Sequence, residues 1–145
     1  MRKMISIFII LLILAGCNAE NEELSYSKVE VDSTNKLVQE FIKSVEDENG
    51  IHLFQQNENT MYAFLNGHHV EQGNDASFFS SFEVKGKDDS LDIYFDEEYT
   101  DDYANKILNN QELYKINLDK KYEVVRPFKN NEETNFNVIY VTGNK

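Results

Sequence analysis

A single cysteine, Cys17, occurs in the 145 residues, and it constrains the fold more than any other feature. One cysteine closes no internal disulfide. It stands at the end of an apolar run close to the first residue, so the chain beyond it has no cysteine at all. Whatever that chain folds into must be held by a hydrophobic core alone. Residues 17–145 are long enough to bury one such core.

The run before Cys17 has its own logic. Arg2 and Lys3 form a short basic start, and Ile5 to Leu14 is apolar except for Ser6. As a helix that stretch would be about 15 Å long. A bilayer core is about 30 Å thick, so the run is too short to span it and has the charge, apolar and small-residue order of a secretory signal. Its last residues, Leu14-Ala15-Gly16-Cys17, resemble the lipobox of bacterial lipoproteins. The resemblance implies a signal peptide over residues 1–16, cleavage after Gly16 and a diacylglyceryl group on the Cys17 sulfur. It also implies acylation of the new amino terminus by palmitate-type chains. A lipid anchor would account for a cysteine that would otherwise be a free thiol outside the cell. The expected location is the cell membrane, lipid-anchored on the extracytoplasmic face.

The formal net charge is −12 and becomes more negative once Arg2 and Lys3 are removed. That balance argues against nucleic acid, which needs a basic footprint, and against a polybasic contact with anionic lipid. Membrane contact is therefore expected through lipid on Cys17. Residues 17–30 are polar and acidic, with Glu20, Glu22 and Glu23, and read as a flexible tether.

Residues 31–145 read as one globular domain. Asp32 or Ser33 is the expected N-cap of a helix over residues 33–48. Leu37, Val38, Phe41, Ile42 and Val45 share its apolar face, and Asn49-Gly50 stops it. After Gly50 the period changes to that of strands. Candidates are residues 51–56, 60–65, 78–85 and 91–96, then 112–118, 122–128 and 136–142. In the third, Phe78, Phe82 and Val84 are expected on one side. In the fourth, Leu91, Ile93 and Phe95 alternate with Asp92, Tyr94 and Asp96. Pro127 places its strand at an edge or ends it. The expected class is α+β, with one N-terminal helix packed on a mostly antiparallel, curved sheet of about six or seven strands.

Chemistry is sparsely signalled. Asp96-Glu97-Glu98-Tyr99-Thr100-Asp101-Asp102 could offer carboxylate oxygens to calcium, but it lacks EF-hand spacing and its glycine. A solvated acidic segment is the plainer reading. His68-His69 and His52 could be metal ligands, yet adjacent residues of a strand point to opposite faces and catalytic zinc takes three protein ligands. No Gly-x-Ser-x-Gly elbow and no phosphate-binding glycine pattern is present. No catalytic, metal or cofactor residue is therefore assigned. Phe78, Phe79, Phe82, Phe95, Phe128 and Phe136 are expected in the core. Tyrosines such as Tyr62, Tyr94, Tyr99, Tyr103, Tyr114, Tyr122 and Tyr140 suit either strands or a recognition surface.

The order Met61 to Gly67, Gly73, Phe82-Glu83-Val84 and Leu91 to Phe95 is similar to that of a small β domain in protease-complex accessory proteins. It implies protein–protein contact, although that family's Thr-Gly-Gly-Tyr-like turn is replaced here by Gly73-Asn74-Asp75. The functional expectation is a lipid-anchored, non-enzymatic binding or interaction module of the bacterial envelope with an envelope protein as partner. A cation-binding factor using Asp96–Asp102 is the alternative.

Overall fold

In the computed structural model, which describes residues 22–105 and 108–143, the helical spacing near the N-terminus resolves into α1 (Lys36–Val45). Val38, Phe41, Ile42 and Val45 are buried on its inner face, whereas Leu37 is 55% exposed. Asn35 is the N-cap, its side-chain oxygen accepting from the Val38 N–H at 3.1 Å. Asp32 and Ser33 do not cap it because Val31–Ser33 has already closed into a 3-10 turn. Cys17 and the apolar run lie outside the described residues.

Nine strands accompany this helix among the described residues: β1 (Ser25–Val29), β2 (Gly50–Asn57), β3 (Thr60–Asn66), β4 (Ala76–Lys87), β5 (Ser90–Thr100), β6 (Gln111–Asn117), β7 (Val124–Lys129), β8 (Glu132–Glu133) and β9 (Val138–Val141). They form two sheets, one five-stranded in the order β1-β6-β3-β2-β9 and one four-stranded in the order β4-β5-β7-β8. The expectation of a helix on a single curved sheet is thereby corrected to a strand-dominated fold with one short helix. The physical reason lies in β2 and β3. Ile51, Leu53, Met61, Ala63 and Leu65 pack with Phe79, Val84, Leu91, Ile93 and Phe95 of the four-stranded sheet. Phe54, Tyr62 and Phe64 pack on the other side with α1. Strands that are apolar on both faces need a layer on each side, and a lone helix covers only one.

Three further departures have local causes. Ser25–Val29, inside the segment read as a tether, is β1, antiparallel to β6. Its Lys28 ammonium reaches the buried Glu112 carboxylate at 2.7 Å. In β4 an irregularity between Phe79 and Ser81 shifts the side-chain parity. Phe79, rather than Phe78, therefore enters the core, followed by Val84, with Phe82 half-buried. Asp92, expected on a solvent face, is buried and accepts both prongs of the Arg126 guanidinium at 2.9 and 3.0 Å. Two pairings are parallel, β2 with β9 and β5 with β7. Pro127 sits in β7, whose outer side is covered only by the two residues of β8.

The register gives the sandwich two distinct ends. Ser25 pairs with Asn117, Asn117 with Thr60, and Thr60 with Asn57, so the chain enters at the end where the β2–β3 hairpin turns. At the opposite end Gly50 pairs with Asn66, Asn66 with Gln111, and β9 begins.

At that second end α1 stops against the sheet, and its last carbonyls need donors. The fully buried Asn66 amide supplies them, donating to the carbonyls of Val45, Glu46 and Glu48 at 3.3, 2.8 and 2.9 Å. The buried His52 ring adds a bond from Nε2 to the Glu48 carbonyl at 2.8 Å. Its Nδ1 has no protein partner among the described residues. Burial holds the His52 pKa below the ordinary value of 6.5, against the smaller upward pull of Glu48.

Asn66→Ala should leave those carbonyls without their donor and cost about 2–3 kcal/mol, read as a lower urea midpoint at an unchanged slope. Because the folded His52 pKa is depressed, its neutral form stabilises the fold fully above about pH 6.5. That contribution is lost as the pH falls from there toward the folded value, by up to about 1.4 kcal/mol per unit. Wild type should therefore lose more stability between pH 7 and pH 5 than His52→Gln, which keeps a donor but does not titrate. Equal losses would remove His52 from this role.

Candidate functional site: a polar cleft at one end of the sandwich

The end that holds the α1 stop also carries a cleft of about 840 Å³. Every element that lines it arrives there by strand register. The start of β2 brings Asn49, Gly50 and Ile51. The loop after β3 brings His69, Val70, Glu71, Asn74 and Asp75. The start of β4 brings Ser77 and Phe79, and the end of β5 brings Phe95, Glu97 and Tyr99. Lys129 closes β7, and Thr134, Asn135 and Asn137 precede β9.

The walls are cross-linked by backbone-like hydrogen bonds from amide side chains. Asn49 donates to the His69 carbonyl at 2.6 Å and accepts from the His69 N–H at 2.9 Å, which ties the long loop to β2. Asn130 accepts from the Glu97 N–H at 2.9 Å and donates to the Glu97 carbonyl at 3.2 Å, so its side chain continues the ladder where β7 has ended. Asn137 N–H donates to the Ile51 carbonyl at 2.9 Å. Its side chain lies over Gly50, where an added Cβ would sit 2.0 Å from the Asn137 Oδ1.

Chemically the cleft is amide-rich and acidic over a small apolar floor of Ile51, Phe79 and Phe95. Lys129 is its lysine, and the Nζ is held by Glu97 at 3.2 Å. Glu71 accepts from the Asn74 amide at 3.3 Å, and the Tyr103 hydroxyl donates to the Asn74 carbonyl. Tyr99 is 60% exposed. Its phenol titrates above the ordinary value, through partial desolvation first and the Glu97 carboxylate second. Glu71, Asp75 and Glu97 against one paired lysine disfavour an anionic ligand. The amides and hydroxyls suit a polar ligand that is neutral or cationic.

The residues singled out in the sequence are distributed differently. Asp96 to Thr100 belong to β5, so consecutive acids there point to opposite faces. Asp96 accepts from the Ser81 hydroxyl at 2.6 Å, Glu97 enters the cleft, and Asp102 accepts from the Ala104 N–H at 3.3 Å. His68 and His69 are exposed on the loop, while His52 is buried in another layer. Among the described residues no three His, Cys, Asp or Glu side chains gather to hold a metal ion. Of the tyrosines, Tyr99 lines the cleft and Tyr103 braces it. Tyr62 is core, Tyr94 stacks on Phe128 at 4.7 Å and Tyr114 on Phe82 at 3.7 Å. The cleft asparagines come from well-separated loops, and only the register unites them.

The opposite end is the one from which Leu24 leads back toward Cys17 and the N-terminus. Residues 1–18 match the family model of the prokaryotic membrane lipoprotein lipid attachment site. The chain carries the attachment site of a bacterial lipoprotein. No curated protein and no solved structure matches it. The lipoprotein is thus held to a membrane through lipid, and its cleft lies at the end of the sandwich away from the point where the chain enters.

Gly50 is a strained position in the cleft wall. Its φ of +127° disfavours any side chain, and the Asn137 amide would have to turn aside to admit one. Gly50→Ala in the lipoprotein should cost about 2 kcal/mol or more and expose the 134–137 segment to limited proteolysis. Unchanged stability and cleavage pattern would contradict this packing.

Proposed function

We propose that the mature lipoprotein is a non-enzymatic binding module on the extracytoplasmic face of the membrane, fixed there by lipid on Cys17, with its polar cleft turned away from the bilayer. The observation that carries this is the two-ended register. The chain enters beside the β2–β3 hairpin, and the amide-lined cleft occupies the other end. Residues 17–24 reach at most about 28 Å when extended, so the hairpin end is the membrane-proximal one. Two or three acyl chains, at about 0.8 kcal/mol per buried CH₂, make such an anchor effectively permanent. At the proximal end the exposed acids Glu22, Glu23, Glu58, Asp88, Asp89, Asp119 and Glu123 outnumber Lys87, Lys120 and Lys121, which favours standing clear of anionic lipid. Recognition of a polar envelope component needs no nucleophile or paired acid and base.

Cys17→Ser should abolish incorporation of labelled palmitate and free the domain from the membrane fraction. In wall-stripped cells with intact membranes, added protease should cut the exposed 68–75 loop of the wild-type protein. Labelling that survives the substitution would refute the anchor, and a loop protected until the cells are lysed would refute the orientation.

A further inference from the structure

Among the described residues each sheet has two edges, and a bare edge strand is a template for another chain. Three of the four edges here are guarded. β1 carries Lys28, bound to Glu112. β4 carries Glu83, Lys85 and Lys87. β8 is two residues long, both glutamates. The fourth edge is β9, Val-Ile-Tyr-Val, with no charge and no proline. Ile139, Tyr140 and Val141 are 58, 50 and 58% exposed.

The surface beside this edge is shaped as well as apolar. Tyr140 stacks on Phe54 with ring centroids 5.3 Å apart and planes 6° from parallel, which fixes it on the helix side of the sheet. Between it and α1 lies a groove of about 200 Å³ lined by Leu37, Glu40, Phe41, Ser44, Phe54 and Tyr140. Leu37 holds the position of a core residue in the helical pattern yet stands exposed at the rim of this groove. Ile139 and Val141 point to the other face.

We infer that β9 is a docking edge that accepts one uncharged extended segment of a partner protein, which adds a strand and places a large apolar side chain in the groove between Tyr140 and Leu37. Main-chain hydrogen bonds would supply affinity and the alternate side chains specificity. The neutral character of β9 within so acidic a chain sets the chemistry of the segment. Apolar residues are favoured on both of its faces, because Tyr140 flanks it on one side and Ile139 and Val141 on the other.

A second copy of this chain is the competing occupant, and the anchor disfavours it. A two-fold ladder between two copies of β9 is antiparallel, so the second copy would stand inverted, with its chain entry at the membrane-distal end. Its tether, about 28 Å at most, would have to run nearly fully extended down the side of the domain, because eight residues of β2 alone rise about 27 Å. This exclusion rests on the anchored reading above, whereas the exposed edge and groove do not.

The test uses the purified full-length lipoprotein in detergent and a fluorescent, end-blocked peptide, Thr-Val-Phe-Val-Thr, with the same peptide carrying Asp in place of Phe as control. The Phe peptide should bind at least ten-fold more tightly than the Asp peptide. Ile139→Lys and Leu37→Asp should each weaken it at least ten-fold. Both positions are exposed, so both variants should keep the wild-type melting temperature. Absence of saturable binding by the Phe peptide, or equal binding by the variants, would overturn the assignment. A wild-type dimer that Ile139→Lys dissolves would overturn it in favour of a second copy. Binding to purified protein is read independently of Cys17 lipidation, so failure of the anchor and failure of the docking edge remain distinguishable.

Discussion

Burial of β2 and β3 on both faces is the constraint around which the other layers are arranged. Each strand contributes to two cores at once, one shared with the four-stranded sheet and one with α1. A fully buried large apolar side chain contributes about 1.5–3 kcal/mol, and Phe54, Phe64, Ile51, Met61 and Leu65 all lie below 2% exposure. Without disulfides, that double use of two short strands is how a chain of this size gathers enough apolar contact. It also places backbone polar groups where water is scarce. The helix-end carbonyls and the buried carboxylates of Asp92 and Glu112 are each met by side-chain donors: Asn66 for the helix end, Arg126 of the adjacent β7 for Asp92, and Lys28 of the adjacent β1 together with Tyr114 of the same strand for Glu112.

The parts of this arrangement that sequence periodicity reveals are those with one wet face. β5 is the clearest, since Leu91, Ile93 and Phe95 are all buried. The helix face was legible for Val38, Phe41, Ile42 and Val45. The second sheet was not, because continuous burial of 51–54 and 61–66 removes the alternation that distinguishes a strand's two sides. β1 was hidden for the opposite reason. Ser-Tyr-Ser-Lys-Val is largely exposed and resembles a solvated linker until its partner β6 is known. The parity of Phe78 and Phe79 depends on a bulge that leaves no mark in composition. Asp92 read as a solvent residue because its partner, Arg126, is 34 positions away.

The site was legible to an even smaller degree. The acidic run and the histidine pair stand out in one dimension and disperse in three, since strand geometry sends neighbours to opposite faces. The cleft is built from Asn49, Asn74, Asn135 and Asn137, ordinary loop residues whose common address is set by the lengths of five different strands. The lipid attachment site is the reverse case. It is recognised from a contiguous run, which is why it could be read from the first residues alone.

The order of pairing has a kinetic consequence. β1 is completed only by β6, with Ser25 opposite Asn117, and β2 is completed on its outer side only by β9, with His52 opposite Val138. Ladders between such distant segments form slowly, because the loop that joins them must close before any contact rewards it. The five-stranded sheet therefore cannot finish until nearly the whole chain has emerged from the ribosome. For a polypeptide bearing an export signal this is an advantage. A precursor that is late to close its central sheet would stay threadable during passage through a membrane, and would lock into shape once the last strand had crossed.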